Sequence, residues 1–450
     1  METIPADRSA SARYSAAARL DRLPIGSFHK QAMWLLAYVF FFELGDLNSF
    51  AFAAPALRVQ WKLSIATIGI VTSAAFIGMF VGAIGGGWFS DRVGRKKALL
   101  FTTLWYSIFS LLNALAWNVP SLFAARFLTG VGLSAMTAVA ITYISEMFPA
   151  SKRGAYQGWI MTIGLFGIPI TALVARALIP MAGYGWRLVF VWGALGVLIL
   201  LFSSRLEESP RWYENQGRLG EADAVLDRME ARTKAEFGSV PAVAGERTTA
   251  VRPSRFTDLF APANLPRTAM LIGAWIFQTL GVYGFLAWVP TLLAARGFPL
   301  VESLMWVSIM QFGAPLGALI AALVSDQWER KYLIAGVALV IAFFGLMYGL
   351  SSTMLPIVIF GFSVSMFIQT FAPLLYAYTP ECYPTLIRNS GSGLVYGSGR
   401  MANSFGPLMV AFLFTHYGYR SVFVYIVATW LMTALIIGVF GPRTKGRTLA

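Results

Sequence analysis

The chain has 450 residues, of which 57% are hydrophobic and only 12% are charged, and its formal net charge is +14. Soluble globular domains carry about a quarter charged residues, so this composition argues against a soluble protein. It also argues against a nucleic-acid-binding protein, because the basic residues form short clusters between apolar segments rather than one polar face. The single cysteine, Cys382, cannot form an internal disulfide, and no Cys/His cluster has metal-ligand spacing. We therefore expect a membrane protein without a metal or a cofactor.

Apolar runs predict twelve membrane-spanning helices, because about 20 apolar residues cross a bilayer as a helix. The predicted spans lie near 31–54, 65–89, 98–116, 120–144, 155–179, 185–203, 268–293, 303–325, 332–350, 355–378, 389–412 and 419–440. They predict an all-α membrane protein with two pseudo-symmetric six-helix bundles. The predicted domains are an N-terminal tail, the first bundle, a linker, the second bundle and a C-terminal tail, at 1–30, 31–203, 204–266, 267–440 and 441–450. The first 30 residues have no apolar core of a signal peptide.

The distribution of Lys and Arg predicts the orientation of the chain, because basic residues near span ends stay on the cytoplasmic side. With a cytoplasmic N-terminus, 27 Lys and Arg residues fall in inside segments and 6 fall in outside segments. Both termini are therefore expected in the cytoplasm. The sequence contains no Asn-x-Ser/Thr acceptor, which favours a bacterial inner membrane.

The two halves repeat each other at an offset of 235 residues. The matched charged pairs are Asp91 and Asp326, Arg95 and Arg330, Lys96 and Lys331, Glu146 and Glu381, and Arg153 and Arg388. Each pair lies beside a predicted inside loop. Two spaced charge patterns that share one offset favour an internal duplication, which is typical of transporters.

Five short motifs resemble signatures of the major facilitator superfamily. They are GWFSDRVGRK from Gly87, RFLTGVG from Arg126, EMFPASKRG from Glu146, ESPRW from Glu208 and PRTKGRTL from Pro442. Their order is that of the family, and the resemblance covers the chain past residue 30. Within the superfamily the chain resembles the sugar porters and the proton symporters of aromatic acids and niacin.

The loop motif implies a gate on the cytoplasmic side. Carboxylates paired with guanidinium groups at helix ends can latch one arrangement of the bundles and release another. The alternative is that these charges anchor helix ends in the lipid headgroups. The predicted gating residues are Gly87, Asp91, Arg92, Gly94, Arg95, Lys96, Glu146, Arg153, Asp326, Arg330, Lys331, Glu381 and Arg388.

Few ionisable residues fall inside the predicted spans, and such residues are functional candidates because burying a charge in the bilayer is costly. Glu43 and Asp46 lie three residues apart, on one face of the first span. Arg126, in the fourth span, is the expected partner of Asp46, as in related proton symporters. We expect these three residues to couple transport to a proton. The alternative is a static buried network.

The substrate is expected to be a small organic acid. Arg400 has no counterpart in the first half and can hold a carboxylate with two hydrogen bonds; the alternative is a helix–helix contact. Where sugar porters carry amides, this chain has Phe277, Tyr283 and Met161, which argues against a sugar. The other predicted substrate-binding residues are Gln278, Tyr283, Trp275, Gln311 and Gln369.

These patterns predict a secondary active transporter that takes up a small organic acid with a proton and works as a monomer in the lipid bilayer. An enzyme is not expected, since the sequence has no HExxH or GxSxG motif and no phosphate-binding loop. A sugar or polyol porter, by symport or uniport, and a non-transporting nutrient receptor remain as alternatives.

Overall fold

The computed structural model describes residues 14–181, 183–243, 256–325, 327–384 and 387–444, and its regular structure over this part of the chain is helical. The helices before the central gap are α1 (Ala16–Asp21), α2 (Ser27–Trp61), α3 (Ile65–Val93), α4 (Arg95–Ala114), α5 (Val119–Met147), α6 (Ala150–Leu165), α7 (Gly167–Leu178), α8 (Gly185–Gly193), α9 (Pro210–Asn215) and α10 (Leu219–Phe237). Those after the gap are α11 (Leu265–Leu286), α12 (Val289–Ala295), α13 (Leu300–Gln311), α14 (Gly313–Val324), α15 (Arg330–Leu350), α16 (Met354–Glu381), α17 (Arg388–Asn403), α18 (Gly406–Tyr417) and α19 (Tyr419–Leu435). Short 3₁₀ segments cover Ile179–Met181, Ala194–Arg205 and Phe256–Phe260, and a π-helical turn covers Ile436–Phe440.

Within the described residues, ten helices or continuous helical segments are long and apolar enough to cross a membrane. They fall at ten of the twelve predicted spans. The other two predicted spans, near 98–116 and 389–412, coincide with α4 and with the pair α17 and α18. The second of these is interrupted, and neither part reaches about 20 residues, since α17 has 16 and α18 has 12. The chain is an all-α membrane protein.

Three predicted spans are interrupted within a few residues before a proline. The breaks separate α6 from α7 before Pro169, α13 from α14 before Pro315, and α17 from α18 before Pro407. A proline has no backbone N–H and its ring crowds the preceding turn, so it favours a break in the helix at these places.

The tightest helix packing joins α3 to α5 in the first half of the sequence and α14 to α16 in the second half. Glycines permit this approach: a Cβ atom at Gly82 would lie 2.0 Å from the carbonyl oxygen of Val131, and one at Gly317 would lie 1.9 Å from that of Met366. Helices of the two halves also meet, with α3 against α17 and α18 and α7 against α13. A connected set of buried apolar side chains therefore extends across both halves.

The segment between the halves contains a polar amphipathic helix, α10. Its buried residues Ala222, Val225, Leu226 and Met229 lie on one face of the helix. Val225, Leu226 and Met229 pack with Leu20 and Leu23, which lie in and just after α1, in one apolar cluster. The rest of the linker, from residue 244 to residue 255, lies outside the described residues.

Candidate functional site

Two carboxylates lie inside the protein on α2. Glu43 is 3% exposed and Asp46 is fully buried. A separation of three residues places both on the same side of a helix, so they face a shared set of neighbours on α4, α5 and the end of α8. Burial of two acids in one helical turn is costly unless polar or positive groups compensate.

Glu43 is held by α5 and faces Arg400. The hydroxyl of Thr137 donates a hydrogen bond of 3.0 Å to Glu43 Oε1. The Arg400 guanidinium acts electrostatically on the Glu43 carboxylate, and its Nη1 donates to the hydroxyl of Ser134 at 2.9 Å. Arg400 therefore reaches from α17 across to α5 and connects the two halves of the chain beside Glu43.

Asp46 lies among small and polar residues. The hydroxyl of Ser110, on α4, donates to Asp46 Oδ1 and lies 3.0 Å from the carbonyl oxygen of Phe190. Asp46 Oδ2 is buried and accepts no hydrogen bond from the residues that the structure describes. Gly193 closes this pocket, because a Cβ atom there would lie 2.1 Å from Asp46 Oδ1. The carboxylate is thus fixed through one oxygen only.

Arg126 influences Asp46 without contacting it. The two groups interact electrostatically, but among the described residues no ion pair within 4.0 Å joins them. The guanidinium of Arg126 instead lies 5.5 Å from the centre of the Phe50 ring. The expected pairing of Arg126 with Asp46 therefore takes the form of a longer-range interaction rather than a direct salt bridge.

Arg126 lines a small cavity between the two halves. The cavity has about 20 Å³ of free space, which is enough for one water molecule. Phe76 and Tyr283 meet edge to face at its border, with ring centres 4.8 Å apart. The lining residues are Leu47, Asn48, Phe50, Ala51, Thr72, Ala75, Phe76, Arg126, Tyr283 and Ala287. Arg126 is the one charged residue among them.

Of the residues predicted to bind substrate, Tyr283 lines this cavity and the others lie elsewhere. Trp275 donates to the hydroxyl of Thr379 at 2.9 Å and packs edge to face on Tyr376 and Tyr396. Gln278 donates to the neighbouring Thr279 hydroxyl at 2.6 Å. The two remaining glutamines differ in exposure: Gln311 is buried and Gln369 is half-buried.

The loop between α3 and α4 brings several predicted gating residues together. Gly94 has a φ of +101°, a conformation that favours glycine, and this turn places Arg95 at the start of α4. The Arg95 guanidinium pairs with Asp91 at 2.6 Å and with Glu146 at 2.9 Å. The predicted charge cluster therefore exists as a direct network between three helices.

The structure adds Glu208 and Ser209 to this network, although the sequence marked them only as part of a family signature. Glu208 Oε1 accepts hydrogen bonds from the backbone N–H groups of Arg95 and Lys96, at 2.7 and 2.9 Å. A carboxylate is favourable there because the free N–H groups at a helix start carry partial positive charge. The Ser209 hydroxyl donates to Glu146 at 2.6 Å. The beginning of the linker is therefore hydrogen-bonded to the start of α4 and to the end of α5.

The remaining gating residues are more scattered. Arg92 stacks over Trp88 at 3.9 Å, and Arg153 Nη2 lies 3.5 Å from the carbonyl oxygen of Phe148. At Gly87, no described atom lies within 4 Å of the position that a Cβ atom would occupy. In the second half Arg330 pairs with Glu381, which repeats the pairing of Arg95 with Glu146 at the offset of 235 residues. Lys331 Nζ lies 3.4 Å from the carbonyl oxygen of Val439 and Arg388 begins α17; Asp326 lies outside the described residues.

Several residues around the two carboxylates were not predicted, namely Thr137, Ser134, Ser110 and Gly193. One signal could have indicated Ser110. Thr103, Ser107 and Ser110 recur every three or four positions on α4 and are all buried, so a polar stripe runs along one face of a predicted span. In a membrane helix such a stripe favours contacts with other polar groups.

Comparison with known proteins identifies the family. Residues 31–450 match a family model described as "Sugar (and other) transporter". A Bacillus subtilis protein named for metabolite transport, YyaJ, is 44% identical over the full length of both chains. The niacin transporter NiaP of Acinetobacter baylyi is 31% identical, with 96% of this chain and 98% of that protein covered. A crystal structure of a D-xylose–proton symporter superposes with a TM-score of 0.74 at 19% identity, covering 94% of this chain and all of that one.

These matches confirm the predicted superfamily and the predicted multi-pass membrane location, and the relatives named here are bacterial, in agreement with an inner membrane. They also make the chain a secondary transporter with a small-molecule substrate. The chain belongs to the sugar and other transporter family of the major facilitator superfamily.

Proposed function

We propose that this transporter couples the uptake of a small organic acid to a proton by alternating access. The observation that carries the proposal is the arrangement of charges inside the protein: Arg400 interacts electrostatically with Glu43, and Arg126 interacts with Asp46 at longer range than a salt bridge. Two buried acids can hold protons, and the buried Arg126 and the half-buried Arg400 can hold an anionic substrate. A carrier for a neutral sugar would not require both cations.

The proton is proposed to bind Asp46 or Glu43. Each carboxylate is buried and each has a nearby arginine that favours its charged form. Movement of an arginine away from its carboxylate would favour protonation, and its return would favour release. This is the chemistry that couples a proton to a conformational change.

The substrate class is proposed from the cavity and from one relative. The cavity combines Arg126 with the aromatic side chains of Phe50, Phe76 and Tyr283, which suits a small acid with an apolar or aromatic body. NiaP of Acinetobacter baylyi is named for niacin, an aromatic acid. The similarity to the xylose symporter concerns the fold alone.

The proposed architecture has twelve membrane spans in two six-helix bundles, at 31–203 and 267–440, with both termini in the cytoplasm and a monomer as the working unit. The spans that complete the twelve would be α4 and the pair α17 and α18. The networks around Arg95 and Arg330 would then form matching cytoplasmic latches. Their release would accompany opening toward the cytoplasm.

Transport by purified protein in liposomes tests this function. The assay imposes an inward proton gradient and measures accumulation of aromatic acids, short organic acids, sugars and polyols. We expect acids to accumulate and the gradient to be required. Accumulation of sugars or polyols alone would favour a sugar porter, and binding without accumulation would favour a receptor.

The Asp46→Asn variant tests the proton site. It should abolish uphill accumulation while sparing exchange of substrate across the membrane, because the site would remain neutral through the cycle. The control is Glu302→Gln, which removes an acid that is exposed at the start of α13. Undiminished uphill uptake by Asp46→Asn would exclude Asp46 as the coupling residue.

A further inference from the structure

Arg126 is a buried cation that forms no ion pair with any residue in the described part of the chain. It is 2% exposed, and its Nε and Nη1 atoms are buried and make no hydrogen bond with any described residue. A guanidinium has five N–H donors, and leaving buried donors of a charged group unsatisfied is costly. An acceptor from outside the protein, such as a carboxylate oxygen of the substrate, can satisfy these donors.

The position of Arg126 shows where that acceptor would lie. Its side chain lines the cavity between α2, α3, α5 and α11, and no acid lines the cavity with it. The walls come from both halves of the chain, because Tyr283 and Ala287 follow the central linker and the other lining residues precede it. Access to such a space changes when the halves move, as a transporter's substrate site requires.

Arg400, by contrast, already has partners. Its Nη1 donates to Ser134, and its charge faces Glu43. It does not line the cavity. A substrate carboxylate at Arg400 would have to compete with a fixed acid, whereas at Arg126 it would meet unsatisfied donors.

Building on the proposed function, we propose that Arg126 is the direct ligand of the substrate carboxylate and that Arg400 serves as the counter-charge of Glu43. Two N–H groups of Arg126 bind the two carboxylate oxygens, and Phe76 and Tyr283 bound the space for the rest of the molecule. The roles expected from the sequence for the two arginines are thereby exchanged.

This assignment gives a physical reason for the coupling of substrate binding to protonation of Asp46. Arg126 is also the cation that stabilises the negative charge of Asp46, and one guanidinium cannot fully compensate two anions. When the substrate carboxylate binds Arg126, the charged form of Asp46 loses its counter-charge, and a proton on Asp46 becomes favourable. The other titratable groups around the two carboxylates are Arg400, Tyr106 and Tyr283.

The test measures ligand-induced thermal stabilisation of the purified full-length protein, because a ligand of the folded state raises its apparent stability. The probes are nicotinate and benzoate, each compared with its neutral amide. The variants are Arg126→Gln and Arg400→Gln, which remove the same charge from a buried and from a half-buried position. Unliganded melting and gel filtration establish that each variant is folded.

We expect the wild-type protein and Arg400→Gln to bind each acid more tightly than its amide. Arg126→Gln should lose this preference. Its affinity for the acid should fall on the order of tenfold or more, as expected for the loss of a charge-assisted hydrogen bond. If Arg126→Gln keeps the preference and Arg400→Gln loses it, the assignment is wrong while the organic-acid function stands. If wild type binds neither acid, the proposed function and this inference both fail.

A second variant keeps the test decisive should Arg126→Gln not fold. Asp46→Asn removes the competing anion, so it should tighten binding of nicotinate or benzoate several-fold at alkaline pH. A partner that merely supports the fold would leave affinity unchanged or weaken it. Unchanged or weaker binding in Asp46→Asn would overturn the competition between Asp46 and the substrate for Arg126.

Discussion

The placement of the Asp46 carboxylate depends on Gly193, which has no side chain. A Cβ atom at Gly193 would lie 2.1 Å from Asp46 Oδ1 and 2.9 Å from its Cγ. No real atom pair tolerates such a distance, so a larger residue at position 193 must displace the carboxylate or the helix. The sequence shows Gly193 as one of 42 glycines, and only the packing of α8 on α2 distinguishes it.

The Gly193→Ala variant should therefore impair proton-coupled uptake and lower stability by about 1–3 kcal/mol, the usual cost of overpacking a tight site. Uptake in liposomes and thermal melting measure the two effects. Gly158→Ala is the matched control, because no atom lies within 4 Å of its Cβ position. Wild-type uptake by Gly193→Ala would show that the position of Asp46 is not critical.

At the scale of elements, the short helix α1 is joined to α10 by charge. Arg19 is 5% exposed, and its guanidinium pairs with Asp223 at 2.9 Å, Asp227 at 2.7 Å and Glu230 at 2.9 Å. These three acids lie on one face of α10, three or four residues apart. Helix α1 thus packs on α10 of the linker.

Removal of this contact should loosen α1. Arg19→Ala should lower the free energy of local unfolding of α1 by about 1–2 kcal/mol, because hydrogen bonds between charged groups stabilise the contact. The effect should be no larger, because two of the three acids are well exposed to solvent. Hydrogen exchange in α1 and α10 should accelerate roughly tenfold as a result. Arg218→Ala is the control, because its partner Glu221 is an exposed neighbour on the same segment. Equal protection in Arg19→Ala would show that apolar packing alone holds α1.

The same contact should depend on pH. Burial raises the pKa of Glu230, but hydrogen bonds from Arg19 and Arg22 outweigh it and hold the pKa below its ordinary value of 4.5. Stability from an acid of this kind is complete above its ordinary pKa and is lost as the pH falls through the lower folded value.

Exchange in α1 should therefore accelerate on acidification below about pH 4.5, and this acid-dependent part should shrink in Arg19→Ala. Exchange rates recorded over a pH series, corrected for intrinsic rates, measure it. A pH series in which wild type and Arg19→Ala respond alike would assign the effect to other groups.

At the scale of the whole molecule, transport requires the two halves to separate and close. Near the start of α3, a Cβ atom at Gly69 would lie 2.8 Å from the Ala411 Cβ and 3.0 Å from the carbonyl oxygen of Pro407, both on α18. This contact between the halves lies at the end of α3 predicted to be extracellular. Its small residues let the halves close there.

The Gly69→Trp variant should hold α3 and α18 apart, which would block transport while substrate binding survives. Liposome uptake measures the block, and labelling of a cysteine added near this end measures the opening. The native Cys382 is buried and should add little background. Gly85→Trp, on the same helix with no atom within 4 Å of its Cβ position, is the control and should transport normally.

The sequence alone determined the class of protein and the places where most helices form. Hydropathy fixes these because the bilayer requires long apolar helices, and ten predicted spans coincide with helices that meet this requirement. The sequence also singled out Glu43, Asp46, Arg126 and Arg400, since ionisable residues in apolar spans are rare and conspicuous. Charge spacing likewise singled out Arg95, Glu146, Arg330 and Glu381 as members of two related charge clusters.

Only the tertiary structure decided which charged side chains of different helices lie near one another. Spacing along a helix fixes the face on which a residue lies, but the distance to a residue on another helix depends on how the helices pack. Thus Arg126 lines the cavity without contacting Asp46, whereas Arg400 reaches across the chain to Ser134 beside Glu43. The glycines that allow these approaches have no pattern of their own, because their role is set by the atoms of the opposing helix.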